Sequence, residues 1–146
     1  MESKKTFDID NLDEQLKEKT QAFINFIENF DRSRESITIK DPKKIFGVKT
    51  SDPDGDIIVK LKFFTYEEKN EITKLMNENK TNEAEVKVLV YGIKEWNLVD
   101  ENGQPLPINA KVVTKLNDVL FKVLNLVIKA KNREPDINEM TNFLIF

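Results

Sequence analysis

Three aspartates alternate through one short turn: Asp52, Asp54 and Asp56, with Gly55 between the last two. Closely spaced carboxylates around a glycine are the raw material of a calcium loop. Such a loop needs its glycine at position six and a bidentate glutamate at position twelve. Counted from Asp52, those positions hold Ile57 and Phe63. The spacing therefore describes an acidic turn ahead of a strand, and no metal site is expected. Glu67, Glu68 and Glu71 form a second carboxylate group. Paired-carboxylate catalysis requires buried acids whose pKa values are driven apart. These three fall at the start of a predicted helix, where negative charge favours the helix dipole.

Composition removes most other chemistry. The 146 residues include no cysteine and no histidine. Disulfides, thiolate ligands, cysteine nucleophiles and imidazole acid–base catalysis are excluded. Four glycines, none clustered, make no phosphate loop. No serine sits in a nucleophile-elbow pattern. The expectation is a binding protein with no enzymatic activity and no cofactor. With 26 acids against 23 bases the net charge is −3, which gives no electrostatic reason to expect nucleic acid. Aromatic residues do not interleave with a basic patch. No apolar run reaches the ~18 residues that a membrane-spanning helix needs. The opening MESKKTFDIDNLDE lacks the apolar middle of a signal peptide. A soluble, cytoplasmic protein is expected.

The elements that would position any binding surface follow from periodicity. Residues 11–31 read as an amphipathic helix, with Leu12, Leu16, Phe23, Phe26, Ile27 and Phe30 on one face. Residues 1–35 are this helix and its polar linker, and residues 36–133 form the main domain. Strands are expected at 36–40, more weakly at 45–49, and most clearly at 57–63. There Ile57, Val59, Leu61 and Phe63 alternate with Lys60 and Lys62. Thr65 and Glu68 form a capping-box pair, and Ile72, Leu75 and Met76 would give that helix a buried face. Asn82 would cap a helix over 83–95, although the β-branched run VKVLVYGI also suits a strand. A loop over 97–107 precedes a long helix over 109–131, which Pro135 ends. Residues 134–146 form a tail with the apolar ending FLIF. The fold class is α+β: a small antiparallel sheet packed on C-terminal helices, with the N-terminal helix added.

The helix over 109–131 carries an unusually wide apolar arc. On a wheel of 100° per residue it spans about 220°, where one contact face needs about half that. Either the helix lies at the centre of its own domain, or one flank serves a partner. On the second reading Val112, Leu116, Val119 and Val123 face the domain's own core. Phe121, Leu124 and Ile128 then face a partner or a second copy of the chain. Lys115, Asp118, Lys122, Asn125 and Lys129 form the polar side. Phe23, Phe26 and Phe30 of the N-terminal helix are the next candidate surface.

Residues 93–109, IKEWNLVDENGQPLPIN, contain Trp96, Leu98, Asp100, Gly103, Pro105, Leu106 and Pro107. This segment resembles the W-x-L-x-D-x-x-G-x-P-L-P signature of small phage tail assembly chaperones and related tail-gene proteins. The order of elements over residues 45–131 resembles that family too, with the N-terminal helix outside the pattern. The residues also have a purely structural account. Trp96 and Leu98 would pack on the core, Asp100 to Gly103 would turn the chain, and Pro105 and Pro107 would lead to a helix capped by Asn109. The resemblance implies a protein of the bacterial host cytoplasm that binds a long helical tape-measure protein and keeps it soluble. Recognition would be helix-in-groove. Two other classes stay open: a structural tail or connector component, and a small phage-type inhibitor of a host defence or transcription complex. The inhibitor would draw on the acidic middle, residues 51–104, with 12 acids and 7 bases.

Overall fold

The computed structural model describes residues 6–8, 16–134 and 140. Leu12, the stop at Pro135 and the apolar ending at 143–146 lie outside them. In chain order the elements are β1 (Thr6–Asp8), α1 (Leu16–Glu28), β2 (Ser36–Lys40), β3 (Lys49–Thr50) and β4 (Ile57–Leu61). They continue with α2 (Tyr66–Asn77), α3 (Thr81–Gly92), β5 (Ile93–Trp96), β6 (Leu98–Val99), α4 (Ala110–Val113) and α5 (Asp118–Lys131). The fold is α+β. The main sheet runs β1-β2-β4-β5, and β3 and β6 form a second, two-stranded sheet. Pairing of β2 with β4 and of β4 with β5 is antiparallel, while β1 joins β2 in parallel.

The sheet's inner face follows from period-two alternation. Ile37 and Ile39 of β2 and Ile57, Val59 and Leu61 of β4 are all buried, while Lys40 and Lys60 stand in solvent. Phe63, expected to continue that face, is exposed because the strand ends at Leu61. The acidic turn before β4 is built by Asp52. Its Oδ2 accepts the backbone N–H groups of Asp54 and Asp56, and Gly55 supplies the left-handed φ of +80°. Asp41 is itself buried, and its carboxylate accepts the N–H groups of Ile45 and Phe46. That carboxylate holds 41–47 as a loop, so the strand expected at 45–49 shrinks to β3.

Helix α2 begins as its sequence predicts. Thr65 Oγ1 accepts the Glu68 N–H, and Glu68 Oε1 accepts the Thr65 N–H. Its apolar face is only partly covered: Ile72 packs half-buried against the core, no residue of the helix is fully buried, and Met76 is exposed. Helix α3 starts at Thr81, one residue before the expected cap Asn82, and ends at Gly92. The chain then turns directly into β5, so helix and strand share the segment that periodicity left ambiguous.

The single helix expected over 109–131 is two. Asn109 caps α4 by accepting the Val112 N–H. Asn117 caps α5 by accepting the N–H groups of Val119 and Leu120. The side-chain caps reward a fresh helix start, and the chain breaks at 114–117. Helix α5 is the centre of the packing, with α3 against one flank and α1 against another. Gly92 permits the close approach of α3, since a Cβ there would collide with the side chain of Ile128.

Candidate functional site

The Trp96 loop is a scaffold element. The indole is buried, and its Nε1–H donates to the Leu106 carbonyl at 2.9 Å. Asp100 Oδ1 accepts the N–H groups of Asn102 and Gln104, and Gly103 sits at φ +80°. Val99 bridges to Pro105, and the Leu106 N–H returns to the Leu98 carbonyl. Pro105 and Pro107 are exposed and carry the chain to Asn109. Asn97 extends this frame. Its Oδ1 accepts the Ile58 N–H and its Nδ2 donates to the Asp56 carbonyl, so one side chain imitates a strand's backbone. This loop therefore leads the chain into α4 at Asn109.

The expected partner-facing edge of the last helix is corrected. Leu124 and Ile128 are each 0% exposed and belong to the core. Phe121 is half-buried. The reason is three-sided: α1, α3 and the core residues of the sheet enclose α5, and that enclosure consumes a wide arc. The face expected to point inward is corrected as well. Val123 is buried, but Val119 is 53% exposed, and Val112 and Leu116 are half-buried. The exposed apolar stripe on α5 is Val119 and Leu126, seven residues apart, with Leu126 45% exposed. Asn125, expected on the wet side, is buried at 6% exposure.

The second candidate surface is engaged within the chain. Phe30 is buried, and Phe23 and Phe26 are half-buried against the core. The Phe26 and Phe30 rings meet edge to face at 5.4 Å, and the Arg34 guanidinium lies over Phe26.

A groove lies between α3 and α5, closed at one end by the 114–118 turn. It encloses about 760 Å³. Val86, Leu116, Phe121 and Leu126 supply apolar walls, and Asn125 also lines it. Two ion pairs frame it. Lys129 meets Glu85 at 2.7 Å across the helices, and Lys122 meets Asp118 at 2.9 Å along α5. Sequence reading missed this groove because the wheel treated 109–131 as one helix. The signal was present in Asn117-Asp118, a cap residue followed by a first-turn acid inside an apolar run.

Helix α2 lies beside α3 and is held partly by polar contacts. Tyr91 Oη donates to Glu71 Oε1 at 2.7 Å, and Lys87 Nζ lies 3.3 Å from Glu71 Oε2 and over the Tyr91 ring. The Tyr91 hydroxyl, and after it the Lys87 ammonium, hold the Glu71 carboxyl below the usual carboxylate range. The same hydrogen bond raises the Tyr91 phenol. This trio is a surface clasp between α2 and α3. Among the described residues no group of three acidic side chains is placed to hold a metal ion, and no helix is long and apolar enough to cross a membrane. Compared with known proteins, the chain matches no family model, no curated protein and no solved structure.

Proposed function

We propose that this chain is a non-enzymatic assembly chaperone of the phage-tail type, which holds a long helical tape-measure-type partner. The observation that carries the reading is the apolar groove between α3 and α5, lined by Val86, Leu116, Phe121 and Leu126. A furrow between two helices receives the ridge of a third. Apolar side chains at the spacing of helical anchors are what helix-in-groove recognition uses. The resemblance of residues 93–109 to the tail-chaperone signature supports the same reading. Contacts of this kind are individually modest, so the complex would release when tail-tube subunits polymerise around the partner.

The test is capture by the full-length chain co-expressed with the long helical product of a neighbouring tail gene. On this reading the long protein co-purifies and stays soluble, and the chain is absent from finished particles. Retention in the particle would instead mark a structural component. Capture of a host complex without any tail product would mark an inhibitor. Either result overturns the chaperone reading.

A further inference from the structure

Two turns of this chain are built alike: Asp52-Pro53-Asp54-Gly55 and Asp100-Glu101-Asn102-Gly103. In both, the glycine N–H donates to the first aspartate's carbonyl at 3.0 Å. In both, that aspartate's carboxylate accepts the N–H groups on either side of the glycine, and the glycine sits at φ +80°. Their surroundings differ. A side chain at Gly55 would meet Lys44 Nζ, so that turn is covered, and Pro53 stiffens it. At Gly103 nothing lies within 4 Å of the corresponding point. Asn102 and Gly103 are exposed, and among the described residues no hydrogen bond holds the Asn102 carboxamide.

When glycine follows asparagine, no side chain shields the next backbone nitrogen from the carboxamide. Asn102 is the one asparagine of the sequence that precedes a glycine. We infer that Asn102 is a site of spontaneous deamidation, and that the turn built by Asp100 sets its pace. The Gly103 nitrogen gives up its proton and attacks Asn102 Cγ. A bond from that nitrogen to Cγ forms, the bond from Cγ to Nδ2 breaks, and ammonia leaves with the proton. The cyclic imide then takes up water. Opening between the nitrogen and Cγ gives aspartate. Opening between the nitrogen and the Asn102 backbone carbonyl gives isoaspartate, whose main chain runs through Cβ and Cγ. Asp54 offers a carboxylate in place of the carboxamide, a poorer electrophile, so the covered turn is not expected to react.

The first step needs a free Gly103 nitrogen. In the folded chain its proton is held by the Asp100 carbonyl, and the Asp100 carboxylate grips the N–H groups of Asn102 and Gln104. That carboxylate also sets negative charge beside a nitrogen that must itself become negative. Reaction therefore waits for the turn to open. Isoaspartate lengthens the main chain inside the turn, between the groups that close it. The Asp100–Gln104 and Leu106–Leu98 backbone bonds come next along the same loop, and the Leu106 carbonyl is the acceptor for Trp96.

The experiment ages the full-length chain at mildly alkaline pH, with and without concentrated urea. Peptide mapping locates each ammonia loss and each isoaspartyl bond. Asn102 should convert before every other asparagine. The folded chain should convert about five- to tenfold more slowly than the chain in urea, the factor that one net hydrogen bond supplies. Glu101→Pro, which copies the covered turn, should slow the folded chain further and leave the rate in urea nearly unchanged. Asp100→Ala, once its circular dichroism and urea transition show it folded, should bring the folded rate close to the rate in urea. If another asparagine converts first, or Asn102 lasts as long as the rest, the site is wrong. If Asn102 converts as fast folded as in urea and Glu101→Pro does not slow it, the turn does not set the pace and the inference is overturned.

Discussion

Lys131 and Arg32 hold each other by their backbones. Lys131 Nζ donates to the Arg32 carbonyl at 2.7 Å, and Arg32 Nε donates back to the Lys131 carbonyl at 3.1 Å. The ammonium also reaches the Arg34 carbonyl at 2.8 Å and lies 4.1 Å from the centre of the Phe63 ring. Arg133 adds a bond to the Phe30 carbonyl. The end of α5 thus clasps the connection between α1 and β2. Burial lowers the Lys131 pKa, so part of what these contacts supply offsets desolvation. Lys131→Met would leave the Arg32 and Arg34 carbonyls without their charged donor. The expected cost is about 1–3 kcal/mol by chemical denaturation. Amide exchange should accelerate in α1 more than in α5.

Trp96 joins the two sheets to the loop before α4. Trp96→Ala removes a buried ring and leaves the Leu106 carbonyl without its donor, and should cost about 3–5 kcal/mol. Trp96→Phe keeps most of the packing and should cost distinctly less. Equal melting temperatures for wild type and Trp96→Ala would show that the ring contributes nothing to the core.

Much of this arrangement is legible in the residue order. The alternation of Ile57, Val59 and Leu61, the Thr65–Glu68 box and the turn chemistry of Asp100 and Gly103 each act locally, within a few residues. The break at Asn117 was equally local, but the apolar run on both sides of it masked the cap. The burial of Leu124 and Ile128 was legible only as one of two readings of the wide arc, and the order of residues did not choose between them. It depends on α1 and α3 arriving from distant parts of the chain, and a wheel records which residues share a face without recording what covers it. Asn125 escaped for the same reason, since its partner is a carbonyl forty residues away.

Gly92 marks the closest approach of α3 to α5. Glycine to alanine in a helix ordinarily gains up to about 1 kcal/mol. Here the added methyl would meet the fully buried Ile128 side chain, which has nowhere to move. Overpacking costs about 1–3 kcal/mol or more, so the net sign is destabilising. Gly92→Ala should lower the urea midpoint. An additional Ile128→Val change should restore part of the loss.

The Glu71–Tyr91–Lys87 clasp has a defined acid sensitivity. The folded pKa of Glu71 lies below its unfolded value, because the Tyr91 hydrogen bond and then Lys87 favour the carboxylate. Its stabilisation is complete above the ordinary glutamate value of 4.5 and is lost as pH falls through the lower, folded value. Tyr91→Phe removes the larger cause. Stability curves of wild type and Tyr91→Phe should therefore separate at neutral pH and converge as pH drops below that window. A constant separation down to the lowest pH would show that Tyr91 acts through packing alone.

The two flanks of α5 should respond oppositely to the same substitution. Leu124 is enclosed on every side, so Leu124→Asp buries an unpaired carboxylate. The penalty of several kcal/mol, about 3 or more, should unfold the domain. Leu126 lines the groove, and Val119 precedes it by seven residues on the same face of α5; nearly half or more of each is in solvent. Leu126→Asp and Val119→Asp should change stability by less than about 1 kcal/mol. Their circular dichroism and elution volume should match wild type, while capture of the helical partner is lost. Because Lys122 and Lys129 border Leu126 on the same face, the new carboxylate gains nearby cations, and folding has no reason to suffer. If Leu126→Asp unfolds the protein as Leu124→Asp does, the groove is closed in solution and is part of the core. If it folds and still captures the partner, helix recognition lies on another face.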